Sequence, residues 1–386
     1  MNKIFKTFLL SIGLAVYGLI FIEVFLRAFA PQAIMPRHVI GSDYGVRMNE
    51  PGAIYQQKTA ETSAIIRING LGLRGPREQS LEKPEGVKRI ALFGDSYFMG
   101  YETDYADSFA ARLGNEMRQR QCAVEIVNLA VSGFGTAEML RTLEARGADF
   151  SPDIVLFQWH HTDPADNSRA DLYRLEDGIL VSTGKNYLPA NGLRMTLQQQ
   201  PVYRLVSEHS HAYAALREKT ATAIKNLMTG GALVKRSGQV AGLVVPANKI
   251  DPPPFPQDRD DRPPASALDL ALLDAAEQQS RDMGAAFYLV DIPSWHSRTQ
   301  FSSGFRLLPE ERRNRGNYLS PINRFRQEAG ASRKIYWEKG HMHLTPFGNQ
   351  LLAEEIARQL TDHPQKRAQL SCRSTGDALA ANAPSR

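Results

Sequence analysis

Residues 89–100 read RIALFGDSYFMG, and the fold is decided here. Ile90, Ala91, Leu92 and Phe93 form a short apolar run that stops in a Gly94-Asp95-Ser96 turn. An apolar run of this length, bounded by a turn, fits a parallel strand buried on both faces. Such a strand delivers Ser96 to the carboxyl edge of a sheet, where open α/β sheets bind ligands. A helix starting just after the turn would aim its unpaired N–H groups at whatever the serine attacks. Gly94 is expected to let a substrate approach the backbone closely. Asp95 is expected to brace the turn rather than react.

Three later segments give the turn its weight. Residues 124–135, VEIVNLAVSGFG, are a second apolar run, ending in Ser-Gly-Phe-Gly. Residues 153–167, DIVLFQWHHTDPADN, are a third, ending in a polar cluster. Residues 341–348, HMHLTPFG, open a helical stretch over 349–360, with Pro346 suited to a first helical turn. Between them, 108–121 carries Phe109, Leu113 and Met117 at helical spacing, and 136–148 reads as a further helix. Further on, 268–281 reads as a helix, 286–293 (AFYLVDIP) as a strand, and 334–337 as the last strand. This alternation predicts a three-layer α/β/α sandwich with a parallel sheet.

In this order the blocks resemble those of the SGNH (GDSL-type) hydrolases: a Ser block, a Gly block, an Asn block and a His block. Residues 67–76, RINGLGLRGP, look like the N-x-x-G-x-R-G lead-in of the family's membrane-anchored bacterial members. The resemblance spans roughly 65–165 and 265–360. It implies Ser96 as nucleophile and His343 as its base, the histidine matching the family's H-[LP]-x-P-x-G. It also implies an oxyanion hole made by the Ser96 N–H, the Gly133 N–H and a side-chain amide from the third block.

The chain departs from the family at two places. Thr162-Asp163 stands where the third block has Asn-Asp, so Thr162 is the expected third donor, with a hydroxyl that reaches less far than an amide. Asn167 is five residues on, and His160 and His161 are alternative donors. The family's acid, two or three residues before the base, is replaced by Gly340 and His341. Glu338 and Asp291 are then the nearest acids in sequence to orient His343. Both departures point to a weak enzyme. The implied function is a membrane-anchored esterase or O-acyltransferase acting on acyl esters, with a sugar hydroxyl as one acceptor. The alternative is a degenerate hydrolase fold kept as a binding or scaffold subunit of a membrane protein complex.

The rest of the chain bounds these readings. Thr7–Phe29 is almost wholly apolar, broken by Glu23 and Arg27, and is long enough to cross a bilayer. Pro31 follows the small-x-small site at 28–30, which favours an uncleaved anchor over a cleaved signal. The domain is expected outside the cytoplasm, in the periplasm. Residues 31–64 read as a tether, 166–264 as a variable insertion with a Pro-rich charged stretch at 249–264, and 361–386 as a disordered tail. Residues 203–227 read as helical. A chain of 386 residues, 42% hydrophobic, supports one large core. The net charge of +5 comes without a basic stripe interleaved with aromatics, so no nucleic-acid partner is expected. No cofactor motif is present, and His160, His161, His341 and His343 have no standard zinc spacing, so neither cofactor nor metal is expected. Cys122 and Cys372, far apart in sequence, are read as free thiols.

Overall fold

The computed structural model describes residues 3–76, 79–188, 197, 200–217, 220, 263–339, 341–370 and 372. The chain divides into two compact units. One comprises Met1–Arg37, Gln56–Ser63 and Gly192–Phe255, the other His38–Tyr55, Ala64–Asn191 and Pro256–Arg386. The Pro-rich stretch of the expected insertion and most of the expected tail lie outside the described residues.

The first unit begins with helix α1 (Lys3–Phe29), whose outer surface is apolar. Ile4–Phe29 is long and apolar enough to cross a membrane. The same unit contains a helix over Pro201–His209 and helical residues 211–217, so the helix expected over 203–227 is interrupted at Ser210, and residues 218–219 and 221–227 of it lie outside the described residues.

In the second unit, chain order runs through β1 (Val39–Gly41), β2 (Arg47–Asn49), β3 (Ile54–Lys58) and β4 (Ser63–Arg67), of which residues 56–58 and 63 belong to the first unit. There follow β5 (Lys88–Phe93), α2 (Ser96–Met99), α3 (Phe109–Gln119), β6 (Val124–Asn128), α4 (Thr136–Arg146) and β7 (Ile154–Trp159). Then come α5 (Asp163–Ala170), β8 (Tyr173–Glu176), β9 (Ile179–Ser182), a helix over Ala267–Asp282 and β10 (Ala286–Asp291). β11 (Ser294–Ser297), β12 (Gln300–Ser302), β13 (Tyr318–Leu319) and a helix over Pro346–Thr361 complete it.

The central sheet has the order β13-β10-β7-β5-β6, and every pair in it is parallel. Strands β5, β7 and β10 are buried along nearly their whole length, which is why they read as mainly apolar runs rather than alternations. Alternate side chains still serve different layers. Ala91, Phe93, Val127, Val155, Phe157 and Leu289 pack with Leu140 and Leu143 of α4 and Leu272 and Ala276 of the Ala267–Asp282 helix. α3 packs instead against the Pro346–Thr361 helix and β6. Helices therefore cover both faces, giving the expected three-layer α/β/α arrangement.

Local chemistry starts the helices where the sequence suggests. Ser108 accepts from the Ala111 N–H at the start of α3, and Ser266 and Asp269 form a capping box on the Ala267–Asp282 helix. Thr345 accepts from the Gly348 N–H, and Pro346 fills the first turn.

Three expectations are corrected. The strand at the β10 edge is β13, only two residues long and too short to show a period, whereas Tyr336 of the expected 334–337 strand makes a lone bridge to Leu344. Residues 38–55, read as part of a tether, belong to the second unit: Val46 and Asn49 are buried, and the Asn49 amide donates to the Ala130 carbonyl at 3.1 Å. Cys122 and Cys372 are not free thiols but a disulfide, closing a sequence separation of 250 residues. The segment after the last helix comes back to the end of α3, a return that a polar tail does not announce in sequence.

Candidate active site

The Gly94-Asp95-Ser96 turn is held from below. Gln158, on β7, points its side-chain oxygen under the turn, where it accepts from the Asp95 N–H at 3.2 Å and the Phe98 N–H at 3.3 Å. A Cβ on Gly94 would sit 2.6 Å from that oxygen and 2.7 Å from the Phe98 Cβ. The glycine is thus required by its own neighbours, not by an approaching substrate as the sequence suggested. Asp95 braces the turn, accepting from the Tyr97 N–H at 2.8 Å. Burial pushes its carboxyl up to about 6, against the opposing pull of that N–H. The helix after the turn, α2, is a single turn ended by Gly100 at φ 75°.

Ser96 and His343 meet at this edge of the sheet. His343 Nε2 lies 2.8 Å from Ser96 Oγ. The histidine is 7% exposed and packs beside Tyr97 and Tyr101, with ring centroids 5.3 and 5.0 Å away. It sits two residues before the helix cap at Thr345, so its backbone is fixed by the start of the Pro346–Thr361 helix.

The acid beside His343 is Glu102, which the sequence reading did not find. Its Oε2 lies 2.6 Å from His343 Nδ1, and its side chain is 0% exposed. Both carboxylate oxygens also accept from the His341 N–H at 3.2 Å. Burial raises the Glu102 pKa, but the bond and charge of His343, with the charge and N–H of His341, outweigh it and leave the carboxyl below its ordinary value. Glu102 and Met342 both have left-handed backbone, at φ 61° and 59°. For non-glycine residues this costs about 1–3 kcal/mol each unless the surroundings hold it.

Arg74 supplies that hold. Fully buried, it donates to the carbonyls of Met99 (2.8 Å), Gly100 and Thr103, which flank Glu102. Burial lowers the guanidinium pKa to about 10. Asn69 shapes the same lead-in, accepting from the Leu71 and Leu73 N–H groups at 3.0 Å. The 67–76 stretch thus acts as the scaffold for the acid's turn.

Glu338 and Asp291 do not serve as the acid. Glu338 is bonded to Arg298 and Lys334, Arg298 first in effect, which hold its carboxyl down to about 2. Asp291 is fully buried and accepts from Ser303 Oγ, Ser320 Oγ and the Gly304 N–H. Burial pushes its pKa up to about 6 despite those donors. Each is taken by partners on its own side of the fold. The only sequence signal for Glu102 is an acid placed six residues after the serine, in a turn between Tyr101 and Thr103.

Gly133, expected to donate to the oxyanion, has φ 84°, a left-handed turn that glycine adopts freely, and its carbonyl accepts from Arg47 at 2.8 Å. Arg47 is also paired with Glu138 at 3.0 Å, so the loop after β6 is tied down from β2. Thr162, expected as the third donor, has its hydroxyl 3.0 Å from His160 Nδ1 and bonded to the Asp166 carboxylate. That commitment argues against Thr162 facing the serine. Asn167 is likewise engaged, accepting from the Ala137 N–H at the start of α4 and donating to Asp269. His160, at the end of β7, is 5% exposed and lies against Tyr97 at 5.0 Å between ring centroids, while His161 is bonded to Ser294. Among the described residues no group of three or more His, Cys, Asp or Glu is placed to hold a metal ion.

No family model matches the chain, and no curated protein matches it. Solved structures do. The crystal structure of TesA is 12% identical, with a TM-score of 0.35, over 71% of this chain and 99% of that one. Esterase EstA from Pseudoalteromonas sp. is 13% identical, with a TM-score of 0.34, over 71% and 97%. A GDSL-like lipase from Bacteroides thetaiotaomicron is 9% identical, with a TM-score of 0.32, over 72% and 90%. Likeness of this size bears on neither the chemistry nor the substrate of this chain.

Proposed function

We propose that the chain is a serine esterase or O-acyltransferase that works through Ser96, His343 and Glu102. The observation that carries this is the continuous hydrogen-bonded series from Glu102 to His343 to Ser96, at 2.6 and 2.8 Å. In this reading Ser96 Oγ attacks an ester carbonyl while His343 Nε2 takes its proton. Glu102, bonded to Nδ1, fixes the tautomer that leaves Nε2 free to accept and stabilises the imidazolium that forms. The Ser96 and Gly133 N–H groups receive the negative charge growing on the carbonyl oxygen, with the His160 ring as third donor in place of Thr162. The C–O bond then breaks, the alcohol leaves with the proton from His343, and the acyl group stays on Ser96. Water or a sugar hydroxyl, deprotonated by the same histidine, takes the acyl group and restores the serine.

The alternative, a binding or scaffold subunit of a membrane complex, is motivated in the sequence by the missing third-block amide and the missing acid. Glu102 answers the second of these. We further propose that the active unit faces an extracytoplasmic, oxidising compartment, with α1 as its membrane anchor. The disulfide and the apolar length of α1 support that placement.

The test is hydrolysis of a short-chain p-nitrophenyl ester together with labelling by a serine-directed fluorophosphonate. Wild type is expected to do both, and Ser96→Ala, still folded, to do neither. Equal labelling of the two proteins would exclude Ser96 as nucleophile. Inertness of wild type in both assays would favour the scaffold reading.

A further inference from the structure

Within the first unit, the two charged residues near the end of α1 are built into a joint. Glu23 accepts from Ser210 Oγ at 2.8 Å and from the His211 and Ala212 N–H groups at 3.0 and 2.9 Å. It therefore caps the helical residues 211–217 at their amino end. Arg27, paired with Glu23 at 2.7 Å, donates to the His209 carbonyl at 2.7 Å and so satisfies the carboxyl end of the Pro201–His209 helix. One ion pair on α1 thus closes both sides of the bend at Ser210. Removing α1 by cleavage near Ala30 would strip all these groups of their partners, which argues that α1 stays in the mature chain.

The position of this joint along α1 is set by length. The charge-free run from Thr7 to Ile22 measures about 24 Å at ~1.5 Å per residue. With Lys6 reaching out at one end, it nearly fills a hydrocarbon core of about 30 Å. Glu23 and Arg27 then lie at the boundary between acyl chains and headgroups, and the bend they hold lies there too.

The helices at the bend carry an exposed apolar face. Val202, Leu205 and Val206, at i, i+3 and i+4, are 71%, 62% and 37% exposed, and Leu216 on the next helix is 62% exposed. Tyr203 and Tyr213 join their hydroxyls at 2.7 Å across the bend, and tyrosine is a residue favoured at membrane interfaces. Water is a poor neighbour for such a face, and the bend between its two helices is bonded to α1 through Glu23 and Arg27.

We infer that residues 201–217 form a membrane-surface element. The Val202–Leu205–Val206 face and Leu216 are seated in the headgroup–acyl boundary of the same bilayer that α1 spans. Their occupant is lipid rather than another protein, because the joint ties the face to α1 at interfacial depth. This inference rests on the membrane reading of α1. Its consequence is a two-point attachment: a spanning helix sets position, and a surface helix pair resists rotation about it.

The test uses the full chain in lipid nanodiscs. Both native cysteines are paired, so a single introduced cysteine can carry a nitroxide label. Labels at Leu205→Cys and Leu216→Cys are compared with Leu14→Cys inside α1 and with Glu176→Cys on the exposed β8–β9 hairpin. The readout is accessibility to oxygen, which concentrates in lipid, against a water-soluble nickel complex. Expected is an oxygen-to-nickel ratio at 205 and 216 well above that at 176 and approaching that at 14. Lipid-like values at 14 with water-like values at 205 and 216 would overturn the inference while leaving α1 as a span. Low accessibility of 205 and 216 to both reagents means protein covers the face, which also overturns it. Water-like values at 14 would instead overturn the membrane reading of α1, and this inference with it.

Discussion

Replacing Glu102 by glutamine removes one charge and almost no volume, from a site whose carboxylate is 0% exposed and 2.6 Å from His343 Nδ1. With charge centres about 4 Å apart and an effective dielectric of about 20, the carboxylate stabilises the imidazolium by about 4 kcal/mol. At about 1.36 kcal/mol per decade, losing it slows acylation by roughly 10³. A second effect comes from the His341 N–H, which lies 3.2 Å from both carboxylate oxygens. A glutamine amide can turn its oxygen to only one side. One orientation sets its NH₂ against the His341 N–H; the other sets it against Nδ1 and selects the tautomer that places a proton on Nε2, facing Ser96. That second loss carries the total toward about 10⁴. The assay is kcat for p-nitrophenyl acetate, read beside the rate of fluorophosphonate labelling and the melting temperature. Glu102→Gln is expected to lower both rates by 10³–10⁴ (roughly, from the same charge and tautomer terms) with the protein still folded. A folded variant within tenfold of wild type would refute Glu102 as the orienting acid.

Gln158→Leu keeps the volume under the nucleophile turn but leaves the Asp95 and Phe98 N–H groups without their acceptor. At about 1–3 kcal/mol per buried orphan, stability should fall by about 2–5 kcal/mol in denaturant titration, with a drop in kcat; an unchanged midpoint would show that the turn holds itself. Asp95 and Asp291, pushed up by burial from 3.8 to about 6, should make folding less stable as pH rises from about 4 to 6. In that window the folded chain keeps protons the unfolded chain has released, at a cost of roughly 3 kcal/mol per group once both are ionised. Glu102 has the opposite sign but acts lower: its lowered pKa gives stability complete above the ordinary carboxylate value and lost as pH falls through the folded one. Denaturation midpoints at pH 4.5, 5.5 and 6.5 should therefore decline, and a rising series would contradict the burial of the two aspartates.

The layered architecture was legible because buried parallel strands write themselves as apolar runs; β5, β7 and β10 start or end within a residue or two of those runs. β13, with two residues, leaves no period to read. That Ser96 and His343 would lie together was legible from block order. Glu102 was not, because the search for an acid ran along the chain from His343, whereas the bond joins residues 241 apart. The same blindness to long closures hid the Cys122–Cys372 bond. Arg74 was visible as part of a lead-in, but its role, gripping three carbonyls around the acid, exists only once the chain is folded.

In this chain Glu102 travels with Ser96. Ser96 and Glu102 sit on one short segment clamped by Arg74 and Gln158, so the five intervening residues and two buried side chains fix their spacing independently of His343. On the 341–344 segment a single imidazole makes both hydrogen bonds, to Ser96 and to Glu102. A lateral shift of that segment would lengthen the two bonds in concert, so under the proposed mechanism activity would depend on the seating of one loop. The segment's mooring is the Pro346–Thr361 helix lying on α3, and the disulfide ties the chain beyond that helix back to residue 122, just past the end of α3. A covalent bond remote from Ser96 thus tethers the chain that follows the helix next to His343.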